Sequence, residues 1–155
     1  MQTVQRLLTT NWLALLANVV AHFALGMGWY GVFATPWMEG IAAKERGFDP
    51  QTAPPVIYLT SVVAVLFGTL FVARLMELAG ERGVGAGVKW GLVVWVGIAA
   101  PLLLMHYSFA GNPSSLILID AGYELLQLAI TGAIVGALGL RTRTAGAPMA
   151  VPAAA

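Results

Sequence analysis

Four stretches of this chain are each long and apolar enough to cross a lipid bilayer, and they leave little sequence for anything else. A spanning helix needs about 20 mostly apolar residues. The stretches run over residues 10–33, 56–76, 90–109 and 116–140 of a 155-residue chain. They are long for buried strands and carry internal glycines, which favours helix. A helix also pairs its backbone groups within one segment, as lipid demands. The expected fold is all-α: a four-helix transmembrane bundle in a single integral membrane domain over residues 1–143. Residues 144–155 are small and proline-bearing and read as a disordered tail.

Composition agrees with lipid and excludes several classes of function. Hydrophobic residues make up 59% and charged residues 10%, where a soluble domain is roughly 45–50% apolar and about 25% charged. A net charge of +1 offers no basic field for nucleic acid. With no cysteine, disulfides, thiolate metal sites and cysteine nucleophiles are excluded. No phosphate loop, dinucleotide fingerprint or nucleophile elbow appears, and no cofactor is implied.

Arg6 followed by an apolar run raises the question of a cleaved signal peptide. The run is too long, contains Asn18 and His22, and lacks a small-x-small site before Gly26, so it reads as an uncleaved span. Arg6, Arg74, Arg82, Lys89, Arg141 and Arg143 fall on one side of the expected bundle, and Lys44 and Arg46 on the other. That asymmetry puts both termini in the cytoplasm.

The second connection, Ala79-Gly80-Glu81-Arg82-Gly83, is short and glycine-rich and predicts a tight hairpin between spans two and three. The first is longer. Thr35-Pro36 is a helix start, and Trp37, Ile41 and Phe48 recur opposite Glu39, Lys44, Glu45 and Arg46, as in a short interfacial helix. Pro54-Pro55 precedes span two as a helix stop. Trp12, Trp29, Trp37, Trp90 and Tyr107 fall near expected interfaces and read as an aromatic belt, with Trp95 deeper and in packing.

The most informative residues are polar ones inside the spans, because each is expensive there. Asn11, Asn18, His22 and Trp29 are spaced by seven, four and seven residues, which places them on one helix stripe. Asp120, Glu124, Gln127 and Thr131 are spaced by four, three and four and share a stripe on span four. In an antiparallel arrangement His22 lies near the depth of Glu124 and Gln127, Trp29 near Asp120, and Asn18 near Thr131. The two stripes are expected to face each other. They make either a hydrogen-bonded seam or a polar cavity for a proton, ion or small ligand of unknown identity. A metal site at His22, His106, Asp120 and Glu124 lacks the usual ligand spacing, and none is assigned.

Other features have structural readings. Pro101 frees the carbonyl of Gly97 and predicts a kink or hinge in span three. Arg74 and Glu77 can pair one turn apart, or with Lys89 and Glu81 across the hairpin. Gly87 with Gly91, and Gly132 with Gly136, form small-xxx-small faces that pack the bundle or join protomers.

Several of these residues together carry a resemblance. Asn11-Trp12-Leu13-Ala14, Gly26, Trp29-Tyr30, Trp37-Met38, Ile119-Asp120-Ala121-Gly122-Tyr123 and Gly132-Ala133-Ile134-Val135-Gly136 resemble, in order and spacing, a bacterial membrane family catalogued as domain of unknown function 1761. The resemblance implies a small four-helix integral membrane protein and supplies no activity. It also implies that Asp120 stands where the family usually has Asn, and Glu124 where it often has His, so this seam is the more acidic. The expected function is an uncharacterised multi-pass subunit, structural or regulatory, forming homo-oligomers. The rival is a small oligomeric transporter or channel using His22, Asp120 and Glu124. A membrane enzyme with His22 and Glu124 as acid and base is the weakest reading, for want of a nucleophile.

Overall fold

The computed structural model describes residues 11–50 and 52–139, with the side chains of residues 43 and 44 left out. The expected tail over residues 144–155 and the basic residues Arg6, Arg141 and Arg143 lie outside the described residues. The described chain is all-helical, and four of its helices are long and apolar enough to cross a membrane. They are α1 (Trp12–Val32), α4 (Pro55–Ala79), the Val84–Phe109 span built from α5 (Val84–Val94) and α6 (Ala100–Phe109), and α7 (Ser114–Ile134), which continues to Leu138. Two short helices, α2 (Ala34–Gly40) and α3 (Ala43–Arg46), fill the first connection.

The helix ends follow from local chemistry. Asn11 caps α1 by accepting from the Leu13 N–H at 3.1 Å, and its amide also donates to the Leu138 carbonyl at 2.9 Å. One side chain thus ties the start of the first span to the end of the fourth. Pro55 occupies the first turn of α4, where its missing N–H costs nothing. Gly80 ends α4 in the left-handed conformation at φ 67°, and Gly83 turns the chain at φ 90° into α5. The third span therefore starts at Val84, six residues before its expected start, because the run from Val84 to Val88 is apolar and unbroken. In the first connection the helix starts at Ala34 with no side-chain cap, so Thr35 does not act as one.

Pro101 leaves a specific mark. Its ring excludes the carbonyl four residues back, and the turn before it widens into a π-turn over Trp95–Ala99, where the Ala100 N–H reaches the Trp95 carbonyl. In that widened turn the Trp95 indole donates to the Ala121 carbonyl at 3.1 Å. The residue expected to serve packing alone also fixes span three against span four.

The closest helix pair is α5 with α7. A Cβ at Gly87 would overlap the Gly132 carbonyl, one at Gly91 the Leu128 carbonyl, and one at Gly136 the Gly83 carbonyl. Backbone meets backbone along this seam, as small-residue faces allow. Both glycine pairs are used inside the chain. Beside them Val72, Ala73, Met76 and Val135 form a small buried core. At the hairpin, Arg74 pairs with Glu77 at 2.6 Å, and Glu81 accepts from Lys89 at 2.5 Å and from the Trp90 indole at 3.1 Å.

Candidate functional site

Span four carries the site, and the helices around it supply the partners. Asp120 is 7% exposed. Its Oδ1 accepts from the Tyr30 hydroxyl at 3.0 Å and from the Trp37 indole at 3.1 Å, and its Oδ2 accepts from the Tyr107 hydroxyl at 2.8 Å. Three donors converge on an acceptor-only group. They come from α1, α2 and α6, so a single carboxylate fastens three other elements to α7. The backbone on either side of Asp120 is held as well. The Trp29 indole donates to the Ile119 carbonyl at 3.1 Å, and Trp95 takes the Ala121 carbonyl.

Glycine and aromatic residues make this approach close. Gly122 faces the Trp29 ring, where a Cβ would lie 2.9 Å from Cζ2. Gly40 leaves room for Leu116, whose Cβ would stand 2.9 Å from an added methyl. Tyr30 packs with its ring centroid 5.0 Å from both Trp37 and Tyr123. The short helix α2 thus leans on the Ser114 end of span four. Trp37 and Tyr107, expected in the aromatic belt, turn inward instead, because a buried carboxylate offers their polar tips a stronger partner than the headgroup region does.

One turn further along span four the chemistry changes. The Tyr123 hydroxyl lies 2.8 Å from His22 Nδ1 and 3.4 Å from the His22 carbonyl. Gln127 lies within reach of the His22 ring, and its amide donates to the Thr131 hydroxyl at 3.3 Å. Asn18 is fully buried on α1, and its amide donates back to the Ala14 carbonyl at 3.1 Å. The oxygens of these two amides, Asn18 Oδ1 and Gln127 Oε1, are buried without a hydrogen-bond partner. Glu124 is half-buried near the middle of span four, and no described residue gives it a hydrogen bond or an ion pair.

The structure therefore brings Trp29 to the Asp120 turn and His22 to Tyr123 and Gln127, and it buries Asn18, Gln127 and Thr131. His106 stays on the exposed side of α6, against Tyr107, and does not join Asp120. Among the described residues no three of the histidine, aspartate and glutamate side chains come together as a metal ion would need.

The family's model matches residues 13–136, which takes in both seams and every partner of Asp120. The chain belongs to the family described as protein of unknown function DUF1761. No curated protein and no solved structure matches it. The DUF1761 match reaches into all four spans, and the Asp120 cluster lies within the matched region.

Sequence reasoning missed Tyr30, Tyr107 and Tyr123 as members of the site. Tyr30 sits one residue from Trp29, about 100° round the helix from the polar stripe. Tyr123 follows Asp120 by three residues, a spacing that marks the same helix side. That second signal was available in the sequence.

Proposed function

We propose that the protein is a structural or regulatory subunit of a bacterial inner membrane, working as a homo-oligomer with both termini in the cytoplasm. The observation that carries this reading is the occupancy of Asp120. A carboxylate meant to pass a proton or ion needs a free face, whereas this one spends its oxygens on Tyr30, Trp37 and Tyr107 from three elements. The Trp29 and Trp95 indoles, which tie down the backbone beside it, support a rigid seam over a mobile path. Orientation rests on the excess of Lys and Arg on the side of the termini and of the Ala79–Gly83 connection. Four short spans enclose little space, so the smallest unit that acts is an assembly of chains.

Two measurements test the reading. Native mass spectrometry from a mild detergent is expected to give a multiple of the chain mass, and a bare monomer at every concentration overturns the oligomer. Vesicles carrying the protein under a pH gradient are expected to hold it as well as empty vesicles do. A flux that His22→Ala abolishes would replace the subunit with the transporter reading, which the unpartnered Glu124 favours.

A further inference from the structure

Where the first span meets the fourth, one hydroxyl lies between two acceptors. The Tyr123 oxygen stands 2.8 Å from His22 Nδ1 and 3.4 Å from the carbonyl of the same residue. Tyr123 is buried, and its ring stands edge-on to His22 at 5.8 Å and against Tyr30 at 5.0 Å. The oxygen is therefore held in place, while its hydrogen can rotate toward either acceptor. The other side of the imidazole is occupied as well. The Gln127 amide nitrogen donates to Thr131 at 3.3 Å, so the otherwise unpartnered Oε1 is the atom left to face the His22 ring. With Nδ1 accepting from Tyr123, the donor to that oxygen is Nε2–H. One neutral tautomer thus satisfies both neighbours.

A proton added to this ring breaks no hydrogen bond. Nδ1–H then donates to the Tyr123 oxygen, and the Tyr123 hydrogen turns to the His22 carbonyl, which keeps a second lone pair beside its helix bond. Nε2–H stays on Gln127. Both bonds to the cation are charge-assisted, roughly twice as strong as neutral ones. Asp120 offers no such place, because a proton there would compete with one of its three donors. On the facing helix, Asp120 and Glu124 precede and follow Tyr123 and supply negative charge without bonding the ring. On α4, Tyr58 meets the neighbouring Phe23 ring, and Arg74 and Glu77 pair near the hairpin. On α6, the Tyr107 hydroxyl is spent on Asp120.

We propose that His22 and Tyr123 form a reversible proton-binding site inside the bundle. The proton comes from solvent and forms the Nδ1–H bond, and no other covalent bond changes. The site holds the proton and does not relay it. Beyond Nε2–H stands the Gln127 amide, whose nitrogen is a donor only and accepts no proton. Binding places a positive charge between α1 and α7, on the side where α7 carries Asp120 and Glu124, so the charge of the seam follows acidity. The site needs neither an oligomer nor a flux, and it stands or falls apart from the subunit reading.

The chain has two histidines, so His106→Gln leaves His22 as the only imidazole signal. The test uses that full-length chain, labelled with nitrogen-15 in the histidine rings, in zwitterionic lipid nanodiscs. Nitrogen resonances are followed from about pH 8 to about pH 5 and back. At the start, hydrogen is expected on Nε2 and not on Nδ1. On acidification Nδ1 is expected to gain a hydrogen, reversibly. Tyr123→Phe takes a charge-assisted bond from the cation and an ordinary one from the neutral ring, so the midpoint should fall by about half a unit or more. Hydrogen on Nδ1 in the neutral ring overturns the proposal. So does a ring that gains no second hydrogen over that range, or a midpoint unmoved in Tyr123→Phe with unchanged circular dichroism. Should Tyr123→Phe fail to fold, the tautomer and the titration of the parent decide. Failure on any of these leaves the oligomer mass and the flux measurement untouched, so it is distinct from failure of the subunit reading.

Discussion

The two ends of the third and fourth spans hold together by opposite means. Near the hairpin, Gly83, Gly87 and Gly91 lie against Gly136, Gly132 and Leu128, backbone on backbone, with no side chain between them. Toward the other end, Asp120 gathers Tyr30, Trp37 and Tyr107, and two indoles take the carbonyls beside it. In lipid, apolar side chains gain little by leaving the solvent, so helices associate through close packing or hydrogen bonds. This chain uses one at each end. The glycine contact has no give, since any added atom meets a peptide group. The carboxylate contact is made of several bonds that can be removed one at a time.

The largest effect follows from that difference. Gly87→Ala places a methyl on the Gly132 carbonyl, and neither backbone can move without opening the α5–α7 pair. A loss of about 3 kcal/mol is expected, the upper end for an overpacked interior. Gly28→Ala, where nothing lies within 4 Å, is the matched control and should leave stability within about 0.5 kcal/mol of the parent. Reversible unfolding in mixed micelles measures both. Equal stability of the two variants would mean that the glycine contact does not hold the bundle.

At the other end the expected losses are smaller and graded. Asp120→Ala strands three donors, and at about 0.6 kcal/mol per bond in a membrane the loss should be about 2 kcal/mol. Tyr107→Phe removes one bond and should cost about 0.6 kcal/mol. Asp120→Asn should fall between them, because its oxygen still accepts from Tyr30 and Trp37, while the Tyr107 hydroxyl can turn and accept from the new amide. A full loss in Tyr107→Phe alone would show that the cluster acts as a unit and not as a sum.

The two ends were also unequally legible. The spans could be read because length and apolar composition suffice to mark them, and the glycine faces because four-residue spacing is itself the packing geometry. The polar stripes could be read because spacings of three, four and seven stay on one helix side. What joins those stripes could not. A tyrosine or tryptophan near a span end looks the same in sequence whether its polar tip meets headgroups or turns inward, and helix rotation decides which. Trp37 shows the limit. It lies on a separate short helix, and its path to Asp120 depends on how α2 folds back over Gly40 and Leu116. The helix of the third span begins at Val84, before the expected start at residue 90, and Lys89 does not interrupt it. Its ammonium reaches back to Glu81 and lies 5.3 Å over the Trp90 ring, so the helix passes it unbroken.

That lysine gives the smallest expected effect and the one tied to pH. Glu81 lies outside the spans, and the hydrogen bond from Lys89, aided by its charge and by the Trp90 indole, holds its carboxyl below the ordinary value of 4.5 against partial desolvation. A carboxyl lowered on folding adds stability above its unfolded value and loses it as pH falls through the folded one. The hairpin contribution should therefore be complete at neutral pH and fade only below about pH 4.5. Being partly exposed, the pair should also weaken with salt. A carboxyl-detected titration of Glu81 should show a midpoint that moves up toward 4.5 in Lys89→Met. A midpoint unchanged by that substitution would mean that the lysine does not hold the carboxylate. The glycine contact, which carries no titrating group, should show no such step, so an acid titration separates the Lys89–Glu81 clamp from the Gly87–Gly132 contact beside it.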